Sequence, residues 1–176
     1  SINLSEFVIA PFTPRAMFDF NSFKDAVRDA VIALNEVLDE GLPLHPLQVQ
    51  RDTVGQLRQI GLGYMGIADM LIKMGIKYGE VKSLMLSEVI AHMGLNEAVL
   101  ASADYAKEHG VFGWYDYDII SDSTFFQENL RPDVKEYVKE HGMANSQLMC
   151  IAPTGSIGTM YGISGGIEPI FANHYN

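Results

Sequence analysis

NSQLMCIAPTGSIG (residues 145–158), followed closely by SGGIEPIFA (residues 164–172), is the part of this sequence that says most about its fold. Residues 146–152, apolar from Leu148 onward, read as a buried strand. Pro153 ends that strand, and Thr154, Gly155, Ser156, Ile157 and Gly158 turn the chain into a short helix. Free N–H groups and the positive end of the helix dipole favour an anion at such a turn. Thr154 and Ser156 add hydroxyl donors, and Gly155 lets a ligand reach the main chain. No Lys follows, so the turn is not a Walker A loop. A plain capping turn with Thr154 or Ser156 as N-cap fits the same residues.

Upstream, short apolar segments alternate with helical ones, which predicts an α/β class. A strand is expected over residues 2–9, ended by Pro11 and Pro14. Asn21 or Ser22 is expected to cap a helix whose stripe is Phe23, Ala26, Val27, Ala30, Val31, Leu34, Val37 and Leu38, closed by Gly41. Residues 42–49, with Pro43 and Pro46, read as a loop. A short strand or turn is expected at 58–62, then helices over 64–74 and 80–109, the latter with Val81, Leu84, Met85, Val89, Met93, Ala98, Val99 and Ala103 as its stripe. Residues 111–124 are aromatic and turn-rich, and Pro132 opens an amphipathic helix that Gly142 ends. No internal repeat or linker divides the chain, so residues 1–176 read as a single piece.

Composition bounds the function. The 176 residues are 48% hydrophobic with a formal net charge of −10, which excludes an intrinsically disordered chain. The acidic balance argues against nucleic-acid partners, whose phosphates need a basic face, and against anionic membranes. No continuous apolar run reaches the ~20 residues of a membrane span. One cysteine, Cys150, can make no internal disulfide and no CxxC zinc pair, so a reducing cytoplasm is the expected compartment. Both ends look cut from something longer, and residues 1–12 lack the features of a signal peptide.

Other motifs carry two readings each. Gly61, Gly63 and Gly66 form a GxGxxG that would suit a dinucleotide-binding oxidoreductase, or a turn whose glycines permit close packing. Residues 55–60 before it are too polar for a central parallel strand. Glu168, in an apolar run, is expected to pair with a cation or the main chain, with an acid/base role as the alternative. Cys150 is expected to be buried and inert. His109 and His141 precede helix-ending glycines and read as caps; His45, His92 and His174 are scattered. Residues 80–109 also admit a helical interaction module, and no Ser/His/Asp order suggests a hydrolase.

Taken together, NSQLMCIAPTGSIG and SGGIEPIFA resemble the catalytic subunit of the ribonucleotide reductase family. SINLSEFV (1–8), RQIGLGYMGIADMLIKMGIKYG (58–79) and ASADYAKEHGVF (101–112) are similar to further family segments, in the family's order. The resemblance implies part of a ten-stranded α/β barrel, helix-rich in this piece, and radical removal of the 2′-hydroxyl of a ribonucleoside di- or triphosphate. It implies that Thr154, Gly155, Ser156 and Ile157, with Pro153 shaping the turn, hold the substrate phosphates. The family's Asn-x-Cys-x-Glu motif is absent from this sequence, and Cys150 matches none of the family's working cysteines. The chain alone is therefore expected to be inactive and to bind no cofactor, the parent taking its radical from a metal-centre subunit or adenosylcobalamin. Expected partners are the ribonucleotide, the rest of the catalytic subunit, a radical-generating small subunit and further copies of the chain. An excised piece, a split gene and a protein-splicing product would each give such a chain.

Overall fold

The computed structural model describes residues 1–172. In chain order the elements are β1 (Ile2–Asn3), a 3-10 turn (Leu4–Phe7), β2 (Val8–Ile9), β3 (Met17–Phe18), α1 (Phe20–Gly41), a 3-10 turn (Leu42–Leu44), α2 (Gln48–Leu57) and β4 (Tyr64–Met65). Then follow α3 (Ile67–Lys73), α4 (Val81–His109), α5 (Tyr117–Ser121), α6 (Thr124–Asn129), α7 (Pro132–His141) and α8 (Gly155–Tyr161). The described chain forms two compact units: Ser1–Phe23, Leu62–Ala91 and residues 150–172 make one, Lys24–Gly61 and His92–Met149 the other.

The first unit holds both two-stranded sheets. β1 and β4 run parallel with Ile2 opposite Tyr64, and β2 and β3 run antiparallel with Val8 opposite Phe18. Each strand is two residues long, and no sheet closes into a barrel among the described residues. The continuous strand expected over residues 2–9 is interrupted because Asn3 accepts from the Ser5 N–H and winds residues 4–7 into a 3-10 turn. Phe7, Phe18, Phe23 and Tyr64 stack edge to face or tilted, with centroids 5.5–5.9 Å apart, and form the aromatic core. Lys73, at the end of α3, donates to the Ser5 carbonyl at 2.8 Å and pins α3 against that turn.

The second unit is helical. The fully buried positions of α1 recur every four residues: Phe23, Val27, Val31 and then Asn35. Val37, expected in the apolar stripe, is exposed instead. Asp19, not Asn21 or Ser22, caps α1, because its carboxylate accepts from the N–H groups of both those residues. The stretch read as a loop over residues 42–49 gives way at Gln48 to α2, so residues 55–57 are helical and their polarity is that of an exposed helix. Pro132 and Gly142 bound α7 as expected.

Helix α4 is 29 residues long, and by length and composition alone it passes as a membrane span, although Lys82, Glu88, Glu97 and Asp104 interrupt its apolar runs. Its middle belongs to a protein core. Asn96 donates to the Asn129 carbonyl, Glu97 pairs with Arg28 and Arg131, and Ser102 donates to Asn145, all from buried positions. A lipid-facing helix would leave such groups unsatisfied. Of its expected stripe, Ala98, Val99 and Ala103 are buried, whereas Val81, Leu84, Met85 and Val89 are exposed.

Candidate functional site

The turn expected over residues 153–158 is present in the first unit. Thr154 adopts a left-handed backbone at φ +50°, the rare conformation for a β-branched residue, and α8 starts directly after it. The Gly158 N–H closes the first turn on the Thr154 carbonyl at 2.7 Å. The N–H groups of Gly155, Ser156 and Ile157 bond no acceptor among the described residues. A Cβ on Gly155 would meet nothing within 4 Å, so a ligand can come up to the main chain there. Thr154 does not cap α8 with its side chain. Its hydroxyl oxygen instead accepts from the Gly166 N–H at 2.6 Å, which holds the SGG turn against the PTGS turn.

Residues 164–166 fit there because they are small. A Cβ on Gly165 would stand 2.8 Å from the Pro153 carbonyl oxygen, and one on Gly166 3.1 Å from that of Ala152. Ser164 is held on both sides of its Cα: its N–H donates to Asp69 Oδ2 at 2.7 Å, and its carbonyl accepts from the Gly66 N–H at 2.9 Å. Beyond it, Tyr78 donates to the Ile167 carbonyl at 2.7 Å. The two turns line an open cleft of about 470 Å³ that includes Pro153, Gly155, Gly165 and the carboxyl-bearing Asp69 and Glu168. Ser156 and Ile157 are exposed beside Gly155 in the chain. No Lys or Arg lines the cleft among the described residues, so the positive potential available there is that of main-chain N–H dipoles. A larger cavity of about 620 Å³ lies within the helical unit, but its lining carries no titratable side chain.

Gly63 and Gly66 of the GxGxxG are packing residues of this same unit. A Cβ on Gly63 would sit 2.3 Å from the Cys150 carbonyl oxygen, and one on Gly66, at φ +71°, 2.4 Å from Asn3 Oδ1. Protein backbone and side chain already fill the space a pyrophosphate would need at Gly63 and Gly66, and Gly61 precedes a bridge residue rather than a helix start. The dinucleotide reading of Gly61, Gly63 and Gly66 is therefore set aside.

Two further expectations change. Cys150 is exposed rather than buried: its N–H donates to the Leu62 carbonyl and its own carbonyl lies over Gly63, while Ile151 beside it is also exposed. Residues 146–152 form no regular strand beyond a single bridge at Met149. Glu168 is exposed and, among the described residues, its carboxylate pairs with no cation, because the turn carries it outward after the Gly165 bond to its N–H. His109 and His141 occupy the last turns of α4 and α7, as read. His174 lies outside the described residues.

Asp69 and Asn35 were not singled out from sequence. Asp69 has a signal, a first-turn acid directly after the glycine turn. Asn35 has one too, standing in the fourth place of a buried ridge with i, i+4 spacing.

Comparison with known proteins joins this geometry to a family. The family model for the ribonucleotide reductase barrel domain matches residues 1–176. A vitamin B12-dependent ribonucleoside-diphosphate reductase of Thermoplasma acidophilum is 35% identical over 98% of this chain and 20% of its own length. The ribonucleoside-diphosphate reductase large subunit of Equine herpesvirus 2 is 29% identical over 94% of this chain and 22% of its own. The subunit alpha of Chlamydia pneumoniae is 28% identical over 97% and 18%. The chain thus spans about a fifth of the length of these curated relatives. Neither a nicotinamide-dependent oxidoreductase nor a helical interaction module finds support among them. With its paired PTGS and GGIEP turns inside a match that runs from the first residue to the last, the chain belongs to the ribonucleotide reductase barrel-domain family.

Proposed function

We propose that this chain contributes the substrate-phosphate turn of a ribonucleoside-diphosphate reductase, with residues 1–176 acting as one piece of its barrel. The single observation that carries the reading is the left-handed Thr154 turn, which among the described residues leaves three consecutive N–H groups without an acceptor beside a glycine with open space. Residues 154–157 bind the diphosphate through main-chain N–H groups and the hydroxyls of Thr154 and Ser156, and Pro153 sets the direction of approach. The chain's share of catalysis is positioning: it holds the ribose where reacting groups elsewhere reach it. The overall reaction replaces the C2′–OH by C2′–H and releases water, taking two electrons and two protons from a dithiol that becomes a disulfide. With Cys150 as its single cysteine, this chain cannot supply that dithiol.

On this reading the enzyme is cytoplasmic. Its barrel strands, its radical source (a metal-centre subunit or adenosylcobalamin) and its reducing cysteines come from the rest of the subunit and its partner, and the chain by itself is inactive. The unpaired edges of β1–β4 and β2–β3 favour self-association of the chain alone. Titration of the 15N-labelled chain with CDP tests the site. Amide shifts at residues 154–158, with Gly61–Gly66 unmoved by NAD, are the expected result. A dispersed spectrum in which CDP moves only residues outside the cleft would overturn the assignment.

A further inference from the structure

We propose that Asp69 is a positioning residue for the phosphate turn, acting through Ser164 and Gly166; this rests on the reading of residues 154–157 as the phosphate site. The side chain lies at a cleft that binds an anion on that reading, where a carboxylate has the wrong sign for attraction. Its contact explains why it is there. Asp69 Oδ2 accepts from the Ser164 N–H at 2.7 Å, and the Ser164 carbonyl accepts from the Gly66 N–H at 2.9 Å, so both main-chain polar groups of that residue are fixed from α3 and its entry turn. Two residues on, the Gly166 N–H reaches Thr154 Oγ1 at 2.6 Å.

Thr154 needs such an anchor. A β-branched residue at φ +50° is strained and persists only when its surroundings over-determine it. That backbone angle aims the N–H groups of residues 155–157. The relay Asp69–Ser164–Gly166–Thr154 is therefore what holds the anion turn in its binding geometry. The charge of Asp69 is not what the relay uses; an acceptor oxygen at that place is.

The test separates acceptor from charge. CDP affinity of the labelled chain is measured for the parent, Asp69→Asn and Asp69→Ala. Asn keeps an acceptor and removes the charge, so its Kd is expected within about threefold of the parent, whereas Ala weakens binding about tenfold or more. The Gly166 amide resonance should shift in Asp69→Ala and stay in place in Asp69→Asn. Thr154→Val, which cuts the far end of the relay, is expected to reproduce the loss. Equal or tighter binding by both Asp69 variants would mean the carboxylate merely repels the ligand, and would overturn the proposal. If Asp69→Ala gives no dispersed spectrum, hydrogen exchange of the Ser164 amide in Asp69→Asn decides. Protection alongside retained CDP binding supports the relay, and rapid exchange with CDP binding intact sinks it. A parent chain that gives no CDP response at residues 154–158 would instead refute the phosphate-site reading itself.

Discussion

Replacing Asn145 by Ala should cost the helical unit a large part of its stability. Asn145 is fully buried and sits at the centre of a closed polar network. Its Nδ2 donates to Asn35 Oδ1 and to the Arg58 carbonyl, each at 2.8 Å. Its Oδ1 accepts from Ser102 Oγ at 2.8 Å and from Asn35 Nδ2 at 3.1 Å. Truncation does not strand every partner. Asn35 keeps the Val31 carbonyl and the Arg58 guanidinium. Among the described residues, two groups lose this bond without a second one to fall back on: the Ser102 hydroxyl proton and the Arg58 carbonyl. At ~1–3 kcal/mol for each buried group left unpaired, the loss is about 4 kcal/mol. That is a large share of the ~5–15 kcal/mol that holds a domain together. At roughly 2–4 °C per kcal/mol it corresponds to a fall in Tm of roughly 8–16 °C.

Asn145→Asp sharpens the argument. It keeps the acceptor for Ser102 but turns a carboxylate oxygen toward Asn35 Oδ1 and the Arg58 carbonyl, both acceptors. Burial beside acceptors raises the carboxyl pKa, so protonation favours the folded state and the penalty should shrink as pH falls toward 4. Urea melts of Asn145→Ala, Asn35→Ala and the double variant, followed by circular dichroism, supply the cycle. Two directly bonded carboxamides should couple by about 0.5–3 kcal/mol. A single-variant loss below about 1 kcal/mol, or additive behaviour in the double variant, would refute the claim that this network is closed and dry.

Gly63→Ala brings a methyl to 2.3 Å from the Cys150 carbonyl, a backbone atom that cannot rotate away, and should lower stability by about 1–3 kcal/mol in thermal melts. Gly155→Ala meets no atom within 4 Å and should leave stability unchanged or raise it by up to ~1 kcal/mol, while weakening CDP in the same titration. The Arg58 hydrogen bond, with help from Tyr105, holds the Asp39 carboxyl below its usual range against the opposing effect of burial. The unfolded chain takes up that proton first, near pH ~3.9, so the stabilisation is complete above that pH and is lost as pH falls through the folded pKa. Asp39→Asn should accordingly flatten the fall in urea midpoint between pH 5 and pH 3 (about the window of that titration), and an unchanged slope would count against the Arg58 bond. Thr154→Ser keeps the acceptor for Gly166 and should melt close to the parent, whereas Thr154→Val should melt lower by about 1 kcal/mol.

Periodicity and punctuation made much of this chain legible from its sequence. Phe23, Val27 and Val31 announced α1, Pro132 and Gly142 bounded α7, and the run from residue 80 to His109 is one helix within a residue of its expected start. The PTGS turn was legible for the same reason: Pro, small hydroxyls and glycine restrict or free the backbone whatever surrounds them. Readings that depended on a distant partner failed. Strand pairing needs a second strand, so apolar residues 2–9 and 146–152 looked like long strands and formed two-residue ladders or a single bridge. Exposure of Cys150 and Glu168 depended on where neighbouring turns sent the chain. The use of Gly63 and Gly66 was decided by Cys150 and Asn3, which approach them from far along the sequence. Local composition sets what a backbone can do on its own. Which carbonyl lies over Gly63, and which N–H Asp69 takes, is settled only when segments remote in sequence meet, because hydrogen bonding and close packing act across space and leave no periodic trace in the chain.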